Sequence, residues 1–291
     1  MSNATVNNIS TKAMLVDLRI SRWTARKQDK RATAEVAKNN SVQSGAGRYY
    51  KSLIEGGALA SINRIADEAR SYHYSVTLPW LDTGPRTLKA TGYFDYMAAM
   101  QGFTSRFDVA VTDLVNDYPL YREEAKRLLG TLFNVDDYPE VHRLKDMFAF
   151  RVNIMPLATA DDFRVELGDE VTEQVKQQIA EATRETMRRG MTEAYERVRK
   201  ITQAFVDRLG QPDTVFRDSL VENARDLAAV LPMLNVTDDP HLATIADRLR
   251  NDLCGFDAEQ LRKDPAARRE AYQKARVMDK DIADFFGGAF Q

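Results

Sequence analysis

Apolar and polar positions along this chain follow two periods, and the helical one dominates. At residues 96–118 the side chains of Tyr96, Met100, Phe103, Phe107, Val111, Leu114 and Tyr118 recur at three- or four-residue steps, which lines them along one face of a helix. A second stripe, Val171, Val175, Ile179, Ala182, Ala194, Val198, Ile201, Phe205 and Leu209, runs through 169–209 with a weak middle at Thr186 and Gly190. Unbroken, that helix would be about 60 Å long at ~1.5 Å per residue, more than a compact domain needs. It is therefore expected to kink near Gly190, or to project and pair with another chain. Tyr50, Leu53, Ile54, Ala58, Ile62, Ile65, Ala66 and Ala69 form a further helical stripe, with Gly56-Gly57 as a bend. Shorter helical patterns cover 29–38, 213–231, 239–253 and 264–286.

The two-residue period is confined to short pieces. Met14, Val16, Leu18 and Ile20 alternate with Leu15, Asp17, Arg19 and Ser21, which predicts a strand with one buried face over 13–21. Segments 148–155 and 163–167 read as paired strands around a proline-containing loop. Residues 39–47, Leu78-Pro79-Trp80 and Thr83-Gly84-Pro85 are turns. Asp117-Tyr118-Pro119 and Asp137-Tyr138-Pro139 each read as a helix start, because proline suits the first helical position. The expected fold class is mainly α (α+β): a helical domain with a long central helix at 169–209 and a small β element at 13–21, 148–155 and 163–167. Residues 1–12 are expected to be a flexible N-terminus. Residues 13–168 would be an α+β region with a basic face and 169–291 a helical region, together one cooperative unit.

Charge adds a polarity that the pattern alone does not show. The net charge is −2 over 291 residues, of which 44% are hydrophobic and 29% charged, an ordinary globular balance. Yet residues 1–60 carry 10 basic and 4 acidic side chains, and the other 231 carry 31 basic and 39 acidic. The stretch Met14–Arg31 concentrates this excess. Such a basic end suits a polyanion, or the acidic face of a partner or sister subunit in a homo-oligomer. The single cysteine, Cys254, excludes an intramolecular disulfide and fits a reducing cytoplasm. No apolar run approaches the roughly 18 residues that cross a bilayer, and the N-terminus lacks a secretory pattern, so no membrane role is expected.

Catalytic signatures are missing from the sequence. There is no phosphate-binding GxxxxGK[ST], no GxGxxG after a strand, and no HExxH, CxxC or GxSxG. His73, His142 and His241 share no metal-ligand spacing, and the pairs Asp136-Asp137, Asp161-Asp162 and Asp238-Asp239 suit caps and turns. No catalytic residue, metal or cofactor is expected. The candidate binding residues are Arg19, Arg22, Trp23, Arg26, Lys27, Lys30 and Arg31, joined by Arg48, Tyr49 and Lys51 of the glycine-containing stretch 45–51. Cations beside aromatic rings hold single-stranded nucleic acid in this way. The same composition also fits aromatic core residues with a rim of solvated cations. At the C-terminus Phe285, Phe286 and Phe290 lie among acids; this tip would dock into a partner or fold back on the body.

The segments ISRWTARKQDK (Ile20–Lys30), GAGRYYK (Gly45–Lys51), TLPW (Thr77–Trp80), DDFRVEL (Asp161–Leu167), FRDSLVENARDL (Phe216–Leu227) and LNVTDDP (Leu234–Pro240) resemble a family of uncharacterised phage and mobile-element proteins. The resemblance covers nearly the whole chain. It implies a gene neighbourhood with MoxR-type AAA+ ATPases and von Willebrand A-type, cobaltochelatase-like proteins. On that basis the chain is expected to be a non-enzymatic adaptor or substrate of an ATPase remodelling system, acting in the host cytoplasm. The alternative is an oligomeric protein that binds or anneals single-stranded nucleic acid.

Overall fold

The alternating stretch at the N-terminus forms a strand, β1, at Ala13–Ser21. It is preceded by one helical turn at Ile9–Lys12, within the segment expected to be flexible, and Ile9 of that turn is buried. A computed structural model describes residues 9–41, 43, 45–163, 165, 169–211 and 214–289, with 161 and 286–289 described by backbone alone. After β1 come β2 (Arg26–Gln28), α1 (Lys30–Asn39), β3 (Tyr50–Ser52), α2 (Ala60–Val76), β4 (Leu78–Pro79) and β5 (Arg86–Lys89). Then follow α3 (Tyr93–Leu129), β6 (Ala149–Pro156), α4 (Asp169–Leu209), α5 (Ser219–Leu234), α6 (Pro240–Arg248), α7 (Ala258–Lys263) and α8 (Pro265–Ala289). The protein is thus mainly α with a small antiparallel β element.

One sheet has the order β4-β5-β1-β6, and a second joins β2 to β3. β5 lies antiparallel to β1, with Ala13 opposite Lys89 and Val16 opposite Arg86, and β4 adds Leu78 opposite Thr87. β1 does not divide into one buried and one wet face. Val16 and Asp17, on opposite faces, are both buried. Of the strand expected at 163–167, residues 164, 166 and 167 lie outside the described residues. Phe163 and Val165 are in no strand; instead a turn at Ala160–Asp162 is closed by a capping box between Thr159 and Asp162.

Contacts group the chain into two units that interleave along the sequence. One comprises Met1–Asp17, Tyr72–Tyr96 and Asn153–Gln291; the other comprises Leu18–Ser71 and Met97–Val152. The chain changes unit inside β1, α2, α3 and β6, where no composition shift or linker marks the change.

In the first unit α4 packs on α8 and α5. Its buried face runs from Thr183 through Met187, Met191, Ala194, Tyr195, Val198, Thr202 and Phe205 to Leu209, and no described residue before Thr183 is fully buried. A single helix spans Asp169–Leu209 and continues through Gly190. Gly190 is buried beside β4: a Cβ there would lie 3.5 Å from the Pro79 carbonyl oxygen and 3.6 Å from Leu78 Cβ, ordinary van der Waals distances.

The second unit has an aromatic core. Trp23, Phe107, Tyr118, Tyr138 and Phe148 pack with Leu53, Ile54, Ile62, Ile65, Val111 and Leu114, each such side chain contributing roughly 1.5–3 kcal/mol by leaving water. Phe107, Val111, Leu114 and Tyr118 are the α3 stripe anticipated from spacing. Pro119 does not start a helix as expected but sits inside α3. The stripe continues past it to the buried Ala125, and that packing offsets the lost backbone hydrogen bond. Tyr50, Leu53 and Ile54, read as part of a helix, instead belong to β3 and the segment after it; α2 begins only at Ala60, after a tight turn at Gly56–Leu59.

Candidate functional site

The basic stretch folds as β2, α1 and β3 of the second unit. Asp29 follows β2 and caps α1, its carboxylate accepting the Ala32 N–H at 2.9 Å, and the helix stops at Asn40, whose backbone and side-chain N–H groups both return to the Val36 carbonyl. Ser41 then adopts φ +53° and Gly45 φ +99°, the left-handed region that turns the chain back toward β3. The two sides are tied by one backbone bond and by the Thr33 hydroxyl. Asp29 N–H donates to the Tyr49 carbonyl at 3.0 Å, Tyr49 N–H to Thr33 Oγ1 at 3.0 Å, and Thr33 Oγ1 to the Asp29 carbonyl at 2.6 Å.

Between α1 and the returning loop is a groove of about 810 Å³ lined by Gln28, Lys30, Thr33, Val36, Lys38, Ser41, Gln43, Arg48 and Tyr49 among others. Its lining contains three cations, Lys30, Lys38 and Arg48, and no carboxylate among the described residues. All three are exposed, and none forms an ion pair with a described residue. Val36 is 51% and Tyr49 40% exposed, so the groove combines free positive charge with apolar and aromatic surface.

Other candidates from the basic stretch are engaged elsewhere. Lys51 is 4% exposed, and its three N–H donors meet Asp137 Oδ2 at 2.7 Å, Asp29 Oδ2 at 3.1 Å and the Leu132 carbonyl at 2.5 Å. Burial opposes its charge, but hydrogen bonds to both carboxylates outweigh it and hold the ammonium above the usual lysine range. Asp137 is held below the usual carboxylate range despite burial by Lys51 and Lys27; Asp29 is lowered first by the Ala32 N–H and then by Lys51. Lys27 reaches Asp137 Oδ1 at 2.9 Å, Arg31 pairs with Glu35 one turn on, and Arg22 donates to Asn63 Oδ1 at 2.9 Å with Asp67 at 3.5 Å. Trp23 is a core residue, edge-on to Tyr118 with ring centroids 5.8 Å apart. Arg19 and Arg26 are exposed on β1 and β2 and do not line the groove. The groove therefore gathers Lys30, Arg48 and Tyr49 from the expected set and adds Lys38 and Val36. Lys38 was legible as the residue two turns beyond Lys30 on a predicted helix.

In the first unit Phe285 stacks on His241, with centroids 4.1 Å apart, and on Tyr195 at 5.1 Å. Of the two alternatives for the terminal tip, Phe285 folds back. The side chain of Phe286 and the whole of Phe290 lie outside the described residues. Tyr195 donates to Asp239 Oδ2 at 2.9 Å, and Asp239 caps α6 by accepting the His241 N–H at 2.8 Å. Asp239 thus acts as the cap its sequence position suggested, whereas Asp137 is a counter-ion to lysines. Another cluster went unanticipated: His73, 4% exposed, has its Nδ1 2.8 Å from the hydroxyl of buried Tyr96. Its isolated place in the sequence carried no signal. Among the described residues, no three His, Cys, Asp or Glu side chains are grouped to hold a metal, and no helix is long and apolar enough to cross a membrane.

Fold and groove together define a mainly helical α+β protein with a basic, partly aromatic surface groove. Compared with protein-family models, with curated proteins and with solved structures, the chain matches none.

Proposed function

We propose that this chain is a non-enzymatic interaction protein that binds an anionic partner in the groove between α1 and the loop leading to β3. One observation carries the reading: Lys30, Lys38 and Arg48 line a single concavity with no carboxylate among its described lining residues. Unpaired like charges in one cleft raise the local concentration of counter-ions and speed their capture. The expected adaptor role is a finer form of the same proposal, in which the bound partner is presented to an ATPase.

Heparin supplies a test that does not presuppose the partner's class. The protein should be retained on it in a salt-dependent way, and Lys30→Ala/Lys38→Ala/Arg48→Ala should elute at markedly lower salt. Equal retention of the triple variant, with its circular dichroism unchanged, would remove the groove from consideration.

A further inference from the structure

We propose that the occupant of the groove is single-stranded nucleic acid, an inference that rests on the groove being an anion site. The arrangement of charge and ring together favours it over an acidic protein segment. Lys30 and Lys38 are eight residues apart on α1, about 12 Å along the helix axis, and Arg48 adds charge from the returning loop. Cations spaced in this way meet successive charges of a flexible polyanion. Tyr49 and Val36 lie among them, substantially exposed. An acidic peptide satisfies the cations but brings no flat partner for the ring. An unpaired base brings a π-face, and stacking of bases on aromatic side chains beside cations is how single strands are held without sequence preference. In a duplex those faces are already stacked on neighbouring bases, so Tyr49 gains nothing from it.

The backbone that carries the ring is also held in place before any ligand arrives. Both backbone groups of Tyr49 are fixed, the N–H by Thr33 Oγ1 and the carbonyl by the Asp29 N–H. A preorganised platform keeps the ordering cost of binding low. Next to it, a Cβ built on Gly45 or Gly47 would meet nothing within 4 Å, which leaves open space over the loop backbone for a strand to cross.

The experiment is fluorescence anisotropy on the full chain with three probes of matched charge: an oligothymidylate, a dA·dT duplex of half its length and a polyglutamate peptide. The single strand should bind at least tenfold more tightly than the other two. Its log K should fall with log salt at a slope of about −2, from three phosphate contacts at roughly 0.7 each. Arg48→Ala should reduce that slope by about 0.7, whereas Tyr49→Ala should weaken binding about tenfold with the slope unchanged. Duplex binding as tight as the single strand overturns the inference, as does a Tyr49→Ala variant of unaltered affinity. Preference for polyglutamate overturns it too, but leaves the anionic groove standing. Binding of none of the probes removes both.

Discussion

Lys51 and His73 are each 4% exposed, yet the two units that contain them handle a buried titratable side chain in opposite ways. Around Lys51 the second unit supplies two carboxylates and a carbonyl, one acceptor for each ammonium proton, and the charge is kept. Around His73 the first unit supplies a tyrosine hydroxyl, and burial, aided by the positive charge of Arg86 and opposed by Asp17, pushes the imidazole down to about 4. Surface exposure is the same, but His73 is packed more deeply and has no carboxylate in contact, whereas Lys51 has two, so burial and partner together decide whether a proton stays.

The largest effect is expected for Lys51→Met. It leaves Asp29 and Asp137 near each other without the cation between them, and removing one member of a buried pair costs about 3–5 kcal/mol. Urea unfolding should show a loss of that order. A loss below about 1 kcal/mol would mean that water, not Lys51, satisfies those carboxylates.

At His73 the measurement is stability against pH. Folded His73 is neutral above about pH 4, whereas in the unfolded chain it takes up a proton near pH 6.5. The unfolded state therefore binds more protons between those values, and stability falls as the pH drops through that window. The loss reaches about 3 kcal/mol at the acid end. In His73→Gln, which keeps a polar partner for Tyr96, this part of the pH dependence should flatten. A wild-type stability that is constant from pH 6.5 to 4 would contradict the assignment.

A smaller effect is expected beside Lys51. The hydroxyl of Tyr138 is buried and has no hydrogen-bond partner among the described residues. Tyr138→Phe removes an unsatisfied polar group and keeps the ring against Phe133, 5.1 Å away. It should stabilise the protein by about 1 kcal/mol, read as a shift of the denaturation midpoint. Lys30→Ala marks the lower end of the range. As an exposed, unpaired groove cation it should change stability by no more than about 0.5 kcal/mol, in contrast to the large cost expected at Lys51.

Much of the scaffold could be read from the chain. The helix at 169–209 and the strand at 13–21 appear at the anticipated residues, because many turns of one period, or a clean alternation, leave little freedom. β2 and β3 were missed because three-residue strands have no period to detect; they exist because each pairs with the other. Pro119 misled for a related reason, since its local preference for a helix start was overridden by the packing of α3 on both sides of it. Gly190 looked like a break in a stripe when viewed along one helix, yet the helix runs on through it, buried beside β4.

The sequence by itself determined a mainly helical protein with a positive N-terminal end, one helix of 41 residues and a terminal cap at Asp239-Pro240. These follow from backbone periodicity, from capping chemistry within a few residues, and from the count of charges. Only the tertiary structure decided which of those positive charges are spent and which are available. Lys51 meets Asp137 and Lys27 shares it, while Lys30, Lys38 and Arg48 meet no acid among the described residues. Ion pairing needs a separation of a few ångströms, and segments so distant along the chain reach that separation only when the fold brings them together.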